Sequence, residues 1–184
     1  MARIVRALIT TAILSLLVVV SSDPASAESA EEIDAGATQA LEKLYAESSA
    51  AKELGAKSVG ILVFPSITKG GFIIGGEYGE GALRVSGKTQ GYYSSASASF
   101  GLQFGISTRS LVIMFMTDQA LKKFTGSNGW EAGVDADVTV VELGATGSLD
   151  TTTAQNPVIG FNFGEKGLMA GVSVEGTKFS KLDR

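Results

Sequence analysis

The sequence predicts an α+β domain: a strongly curved antiparallel sheet, barrel-like or sandwich-like, with an N-terminal amphipathic helix and one short internal helix. Three observations lead there. Residues 29–54 carry a helical apolar period, the chain from Val59 onward breaks into short extended runs separated by glycine turns, and VFPSITKGGFIIGGEYGEG (Val63 to Gly81) places glycines throughout a β-rich segment. Glycine in a strand interior is costly unless the sheet is bulged, tightly bent or closely approached by another backbone, so this density predicts curvature.

The N-terminal helix rests on Ile33, Ala37, Ala40, Leu41, Leu44, Ala51 and Leu54 at three- and four-residue spacings, with charged residues filling most of the positions between them and Gly55 as its stop. The stripe is rich in alanine, which suits close packing on a sheet better than burial in a membrane interface, where bulkier side chains and a basic polar face are usual. Ser86-Gly87 joins ALRV to TQGYY as a tight hairpin, and Gly164-Glu165-Lys166-Gly167 joins VIGFNF to LMAGVSV in the same way. Both connections are too short for a parallel crossover. Leu111 to Met116 is apolar throughout and reads as a central strand covered on both faces. Thr117-Asp118 then caps a short helix over Gln119 to Phe124, with Lys122 and Lys123 at its C-terminal end and Gly126 as its stop.

Val134, Ala136, Val138 and Val140 alternate with Asp135, Asp137 and Thr139, which predicts a strand with one wet face. Phe100 to Gly105 and Gly160 to Gly164 place aromatics at one parity and glycine or amide at the other, so the aromatics enter one layer and leave room opposite. The sheet is expected to hold about eight to ten strands.

The first residues predict export. Arg3 and Arg6 precede an apolar run from Ala7 to Val20, and Pro24 and Ala25-Ser26-Ala27 follow, the three-part layout of a signal peptide cleaved after Ala27. The run is shorter than the roughly 20 residues a bilayer crossing needs. Residues 1–27 are therefore read as a signal peptide, 28–55 as the helix and 56–184 as the β-rich part of one compact domain. With no cysteine in the chain, lipidation on an N-terminal cysteine and disulfides are both excluded, so the expected location is periplasmic or secreted, without a lipoprotein anchor. After cleavage 13 Lys+Arg would stand against 18 Asp+Glu, a formal charge of −5 that disfavours nucleic acid as a partner.

Histidine is also absent, which removes the commonest general base and the usual transition-metal ligands. Serine-histidine and cysteine-histidine catalysis are excluded with it. Carboxylate chemistry remains open through Glu77 with Glu80, or Glu131 with Asp135 and Asp137, although a solvated strand face accounts for the two aspartates. The cluster Gly75 to Gly81 lacks the Walker spacing and the dinucleotide fingerprint, and its two carboxylates would repel a phosphate, so it reads as a bend or bulge between two strands. No cofactor is expected. Lys69, Arg84, Lys88, Lys122, Lys123 and Lys166 fall at predicted turns, strand ends or a helix end, positions from which a basic rim would meet anionic headgroups at roughly 1 kcal/mol per charge. Tyr78 and Trp130 are amphipathic aromatics suited to such a rim and equally at home at the edge of a core.

The run VFPSITKGGFIIGGEYGEGAL, followed by GYYSSASASFGLQFG, LVIMFMTDQALKKF, GWEAGVDADVTVV and GLMAGVSVEGTKFSKLD, resembles the SYLF domain family of lipid-binding proteins from Ala56 to Arg184. Phe64-Pro65-Ser66, Gly75 to Gly81, and the pattern from Met116 to Phe124 carry the resemblance. It implies a β-rich domain with an N-terminal helical segment, associated in eukaryotic relatives with phosphoinositide membranes and in some with actin; bacterial relatives are exported. The helix of this chain departs from the basic amphipathic helix of those relatives, with Glu31, Glu32, Asp34, Glu42, Glu47 and Glu53 against Lys43 and Lys52. That argues against phosphoinositide binding through the helix, and an exported protein meets no actin.

Taken together, these readings predict non-catalytic lipid or membrane-surface binding, with the six basic residues, Tyr78 and Trp130 as the lipid contacts. Two alternatives stay open: a structural or protein-interaction module of the cell envelope, and a carboxylate-dependent hydrolase using Glu77 or Glu131.

Overall fold

A computed structural model describes residues 28–71, 74–100, 107–127, 129–141, 155–164, 167–169 and 172–184. The predicted signal peptide and Lys166 lie outside the described residues, as does most of Phe100 to Gly105. The described chain is α+β: three helices and a strongly curled sheet that forms a half-barrel.

Helix α1 (Ala30–Glu47) opens with a capping box. The Ser29 hydroxyl accepts from the Glu32 N–H at 3.2 Å, and the Glu32 carboxylate accepts from the Ser29 N–H at 2.8 Å. The sequence predicts one helix running to Gly55; the structure divides it. Ser48 takes extended dihedrals and its hydroxyl accepts from the Ala51 N–H, which starts α2 (Ser49–Lys57) in a new direction. A serine that caps locally outcompetes continuation of the helix. Gly55 sits inside α2, where its missing side chain makes room for the Tyr45 ring.

Nine strands follow among the described residues: β1 (Gly60–Gly71), β2 (Ile74–Val85), β3 (Lys88–Phe100), β4 (Ser107–Phe115), β5 (Trp130–Glu131), β6 (Thr139–Val140), β7 (Val158–Gly164), β8 (Gly167–Leu168) and β9 (Lys178–Leu182). Their order is β5-β9-β3-β2-β1-β4-β7-β6, with β8 also on β7. The first three form a meander. The β2–β3 hairpin turns at Ser86 and Gly87, both at positive φ, as its two-residue loop requires. Pairing is antiparallel except for β6 against β7, so the predicted all-antiparallel sheet holds one parallel pair. β4 lies between β1 and β7, and Leu111 to Phe115 are buried on both faces as expected. The short helix α3 (Asp118–Thr125) is capped by Thr117 and ends at Gly126.

Two features make the curl. At Phe64-Pro65-Ser66 the register of β1 shifts against both neighbours, so Pro65 and Ser66 together oppose Ser110 of β4. Proline has no N–H to give the ladder, and a bulge is where a sheet tolerates it. Facing that bulge, Gly79 and Gly81 let β2 press against β1: a Cβ at Gly79 would collide with Ser66 O, and one at Gly81 with Val63 O. The glycine-rich Gly75 to Gly81 is therefore the interior of β2 and not a bend between strands, because its function is close backbone approach.

Successive side chains of a strand point to opposite faces, which divides the core into two layers. Val63, Ala82, Val112, Met114, Phe161 and Phe163 meet the buried stripe of α1 and α2. Leu62, Phe64, Leu83, Leu111, Ile113 and Phe115 meet α3 and an aromatic cluster. Within that cluster Phe124 stacks on Tyr93 (4.8 Å) and Phe115 (5.0 Å) and meets Trp130 edge-on (5.6 Å). Gly160 and Asn162 occupy the parity opposite Phe161 and Phe163, with Val138 filling the space over Gly160. The strand predicted across Val134 to Val140 forms only at Thr139–Val140. Gly133 has φ 84°, and the Asp135 carboxylate accepts from the Glu131 N–H at 2.7 Å, so a local turn wins over extension.

Candidate functional site

The FPS bulge positions a cleft. Gly36 of α1 has no side chain to hold the helix off Pro65, since a Cβ there would lie 3.0 Å from the proline ring. Helix α1 therefore crosses close above the bulge, and the Ser110 hydroxyl donates to Pro65 O at 2.7 Å, satisfying a carbonyl the ladder leaves free. Farther along α1, Lys43 Nζ donates to Gly164 O at 2.7 Å, tying the helix to the end of β7. Between these two ties lies an open cleft of about 660 Å³. Lys43, Thr108, Arg109 and Ser110 contribute polar lining; Pro65, Leu168 and Met169 contribute apolar lining. Met169, 38% exposed, stands at its rim.

Arg109 secures the floor. Its guanidinium bonds Glu77 of β2 at 2.7 Å and Asn162 of β7, linking strands on both sides of β1 and β4. Asn162 in turn donates to Val172 O at 3.1 Å, and Lys69 approaches Glu77 at 3.8 Å. A guanidinium that is 9% exposed and committed to a carboxylate and an amide orders this end of the sheet.

The predicted contact residues among the described ones do not gather into one rim. Arg84 bonds Asp34 O and the Thr38 hydroxyl of α1, both at 2.8 Å, and so fastens the helix. Asp34 also accepts from the Thr89 hydroxyl at 2.6 Å and the Tyr92 hydroxyl at 2.9 Å. The Tyr92 hydroxyl is held above its ordinary pKa by desolvation and by that bond. Lys69 is engaged by Glu77. Lys88 is exposed at the β2–β3 hairpin, at the opposite end of β2 from Glu77. Lys122 and Lys123 are exposed on α3, and Lys123 donates to Asp135 O. Tyr78 is 52% exposed with its hydroxyl on Glu80 at 2.8 Å. Trp130, 2% exposed and packed against Phe124 and Phe179, is a core residue and offers no surface to lipid.

Two residues that border the cleft, Lys43 and Arg109, escaped the sequence reading. Lys43 was one more polar residue of the helix, and Arg109 carried no motif; the FPS bulge was the available signal, and only its position under α1 gives it meaning. The acid candidates separate. Glu77 and Glu80 point from opposite faces of β2, the first against Arg109 and the second against Arg184 at 2.6 Å, while Asp135 binds backbone. Among the described residues no group of three or more His, Cys, Asp or Glu side chains is placed to hold a metal ion. No described helix is long and apolar enough to cross a membrane.

No curated protein matches the chain. A protein-family model described as Ysc84, Las17-binding protein actin regulator, matches residues 96–184, the part that contributes β4, α3, β7 and β9. The Met116 to Phe124 motif falls inside that span; the FPS and Gly75 to Gly81 motifs precede it. Over residues 96–184, then, the chain is similar to the SYLF family that the Met116 to Phe124 motif indicates.

Proposed function

We propose that this protein acts after export by binding lipid, without catalysis. The observation that carries the reading is the cleft between α1 and the β7–β8 hairpin, where an ammonium and hydroxyls share one lining with proline, leucine and methionine. That combination suits a ligand with a charged head and an apolar body, and its volume of about 660 Å³ lies within the roughly 300–1,000 Å³ usual for small-molecule sites. The composition argues in the same direction, because a chain without histidine or cysteine lacks the commonest catalytic groups.

The family description speaks of Las17 binding and actin regulation. Export would separate this chain from actin, so the feature carried over is binding as such. Native mass spectrometry of the protein purified from exporting cells tests the proposal, with a co-purifying lipid as the expected result. Absence of any lipid adduct, together with no cosedimentation with either anionic or neutral liposomes, would turn the reading toward an envelope protein-interaction module.

A further inference from the structure

Lipid binding has two physical forms, lying on a bilayer or holding one molecule in a pocket, and the described surface separates them. Insertion into a bilayer needs a contiguous apolar patch or an amphipathic helix with its stripe free. Here the stripe of α1 (Ile33, Ala37, Ala40, Leu41, Leu44) is buried on the sheet. The exposed large hydrophobic residues among the described ones are Tyr78, Val134 and Met169, on β2, in the turn after β5 and at the cleft respectively. Of the basic residues a surface mode would use, Arg84 and Lys69 are engaged by Asp34 and Glu77, and the exposed Lys88 and Lys122 stand on separate elements, the β2–β3 hairpin and α3.

Building on the function proposed above, we infer that the cleft takes a single-chain anionic amphiphile out of the bilayer, with Lys43 as the residue that selects the charged head. Lys43 has three N–H donors and gives one to Gly164 O, which leaves donors for an oxyanion while fixing the side chain at the cleft wall. The exposed Thr108 hydroxyl joins it. Arg109 borders the same cleft, but its guanidinium is bonded to Glu77 and Asn162 on the sheet face opposite α1, so the selective cation is Lys43. The chain of the ligand lies along Pro65, Leu168 and Met169. Glu47, one turn beyond Lys43 and beside Gly167, opposes the anion and sets an upper limit on affinity.

The test uses a dansyl-labelled fatty acid added below its micellar concentration to the protein purified from exporting cells. A saturable fluorescence rise is expected, displaced by unlabelled fatty acid and about tenfold less well by the fatty alcohol of equal chain length. Lys43→Met is expected to weaken the acid about tenfold and leave the alcohol unchanged. Met169→Asp, at an exposed position, weakens both, and Glu47→Gln tightens the acid. Equal displacement by acid and alcohol overturns the inference even if a variant fails to fold, as does a folded Lys43→Met protein that binds the acid normally. Cosedimentation with anionic liposomes in the absence of saturable uptake overturns the pocket and leaves lipid binding standing. Failure in both assays removes both.

Discussion

The two faces of the sheet are built from different side chains and close differently. On one, Phe64, Phe115, Phe124, Trp130 and Phe179 pack ring against ring in tilted and edge-on contacts. On the other, α1 presents alanines at Ala37 and Ala40 and a glycine at Gly36, so the helix approaches closely over the bulge and leaves a cleft beside it, toward β7 and β8. Large rings fill space; small residues let backbone approach backbone, and what lies beyond the contact stays open. The aromatic face is thus the anchor of the fold, and the helix face is where a ligand has room.

Phe124→Ala strikes the aromatic face and is expected to cost most, about 3–5 kcal/mol, because the ring touches Tyr93, Phe115 and Trp130. Urea unfolding measures it, and a loss under about 1 kcal/mol would show that the cluster does not carry the fold. Next comes Gly81→Ala, where the added methyl meets Val63 O and the Phe64 ring; a loss of about 2–3 kcal/mol is expected by the same assay. A neutral result there would mean that β1 and β2 can move apart and that the glycine does not set the curl.

Asp34→Ala separates helix from sheet. The half-exposed carboxylate loses Thr89, Tyr92 and Arg84, for about 1–2 kcal/mol, and α1 amides should then exchange hydrogen faster than β4 amides. Uniform acceleration would show that α1 and the sheet open as one unit. Ser29→Ala removes the cap of α1 and is expected to cost about 1 kcal/mol. The cap also has a pH signature. The Ser29 N–H, then its hydroxyl, holds the Glu32 carboxyl below its ordinary pKa. Its contribution is therefore present above the unfolded-state value and fades as pH falls through the lower folded value. The difference between Glu32→Gln and the parent should shrink over that acidic window; a constant difference would dissociate the Glu32 charge from the cap.

Much of this architecture was legible locally. Thr117 and Gly126 bracket α3, Ser86-Gly87 turns a hairpin, and the unbroken apolar run of β4 can only be a doubly covered strand. The failures were local competitions that pattern alone does not settle. Ser48 stops one helix and starts another, and Asp135 with Gly133 turns a segment whose alternation reads as strand. The site was harder to see. Charge-based reasoning selected Arg84 and Lys69, which bind acids of their own chain, and amphipathic character selected Trp130, which is core.

The amino-acid order by itself determined most of the elements and the curvature, because capping, alternation and glycine spacing act within a few residues. It also determined what chemistry is missing, since absent histidine and cysteine need no coordinates to read. Only the tertiary structure decided that Lys43 of α1, Pro65 of β1, Thr108 of β4 and Met169 after β8 border one cleft. They lie as many as 126 positions apart along the chain and meet because a bulge and a glycine bring α1 down onto the sheet, a consequence of close packing that no local window contains.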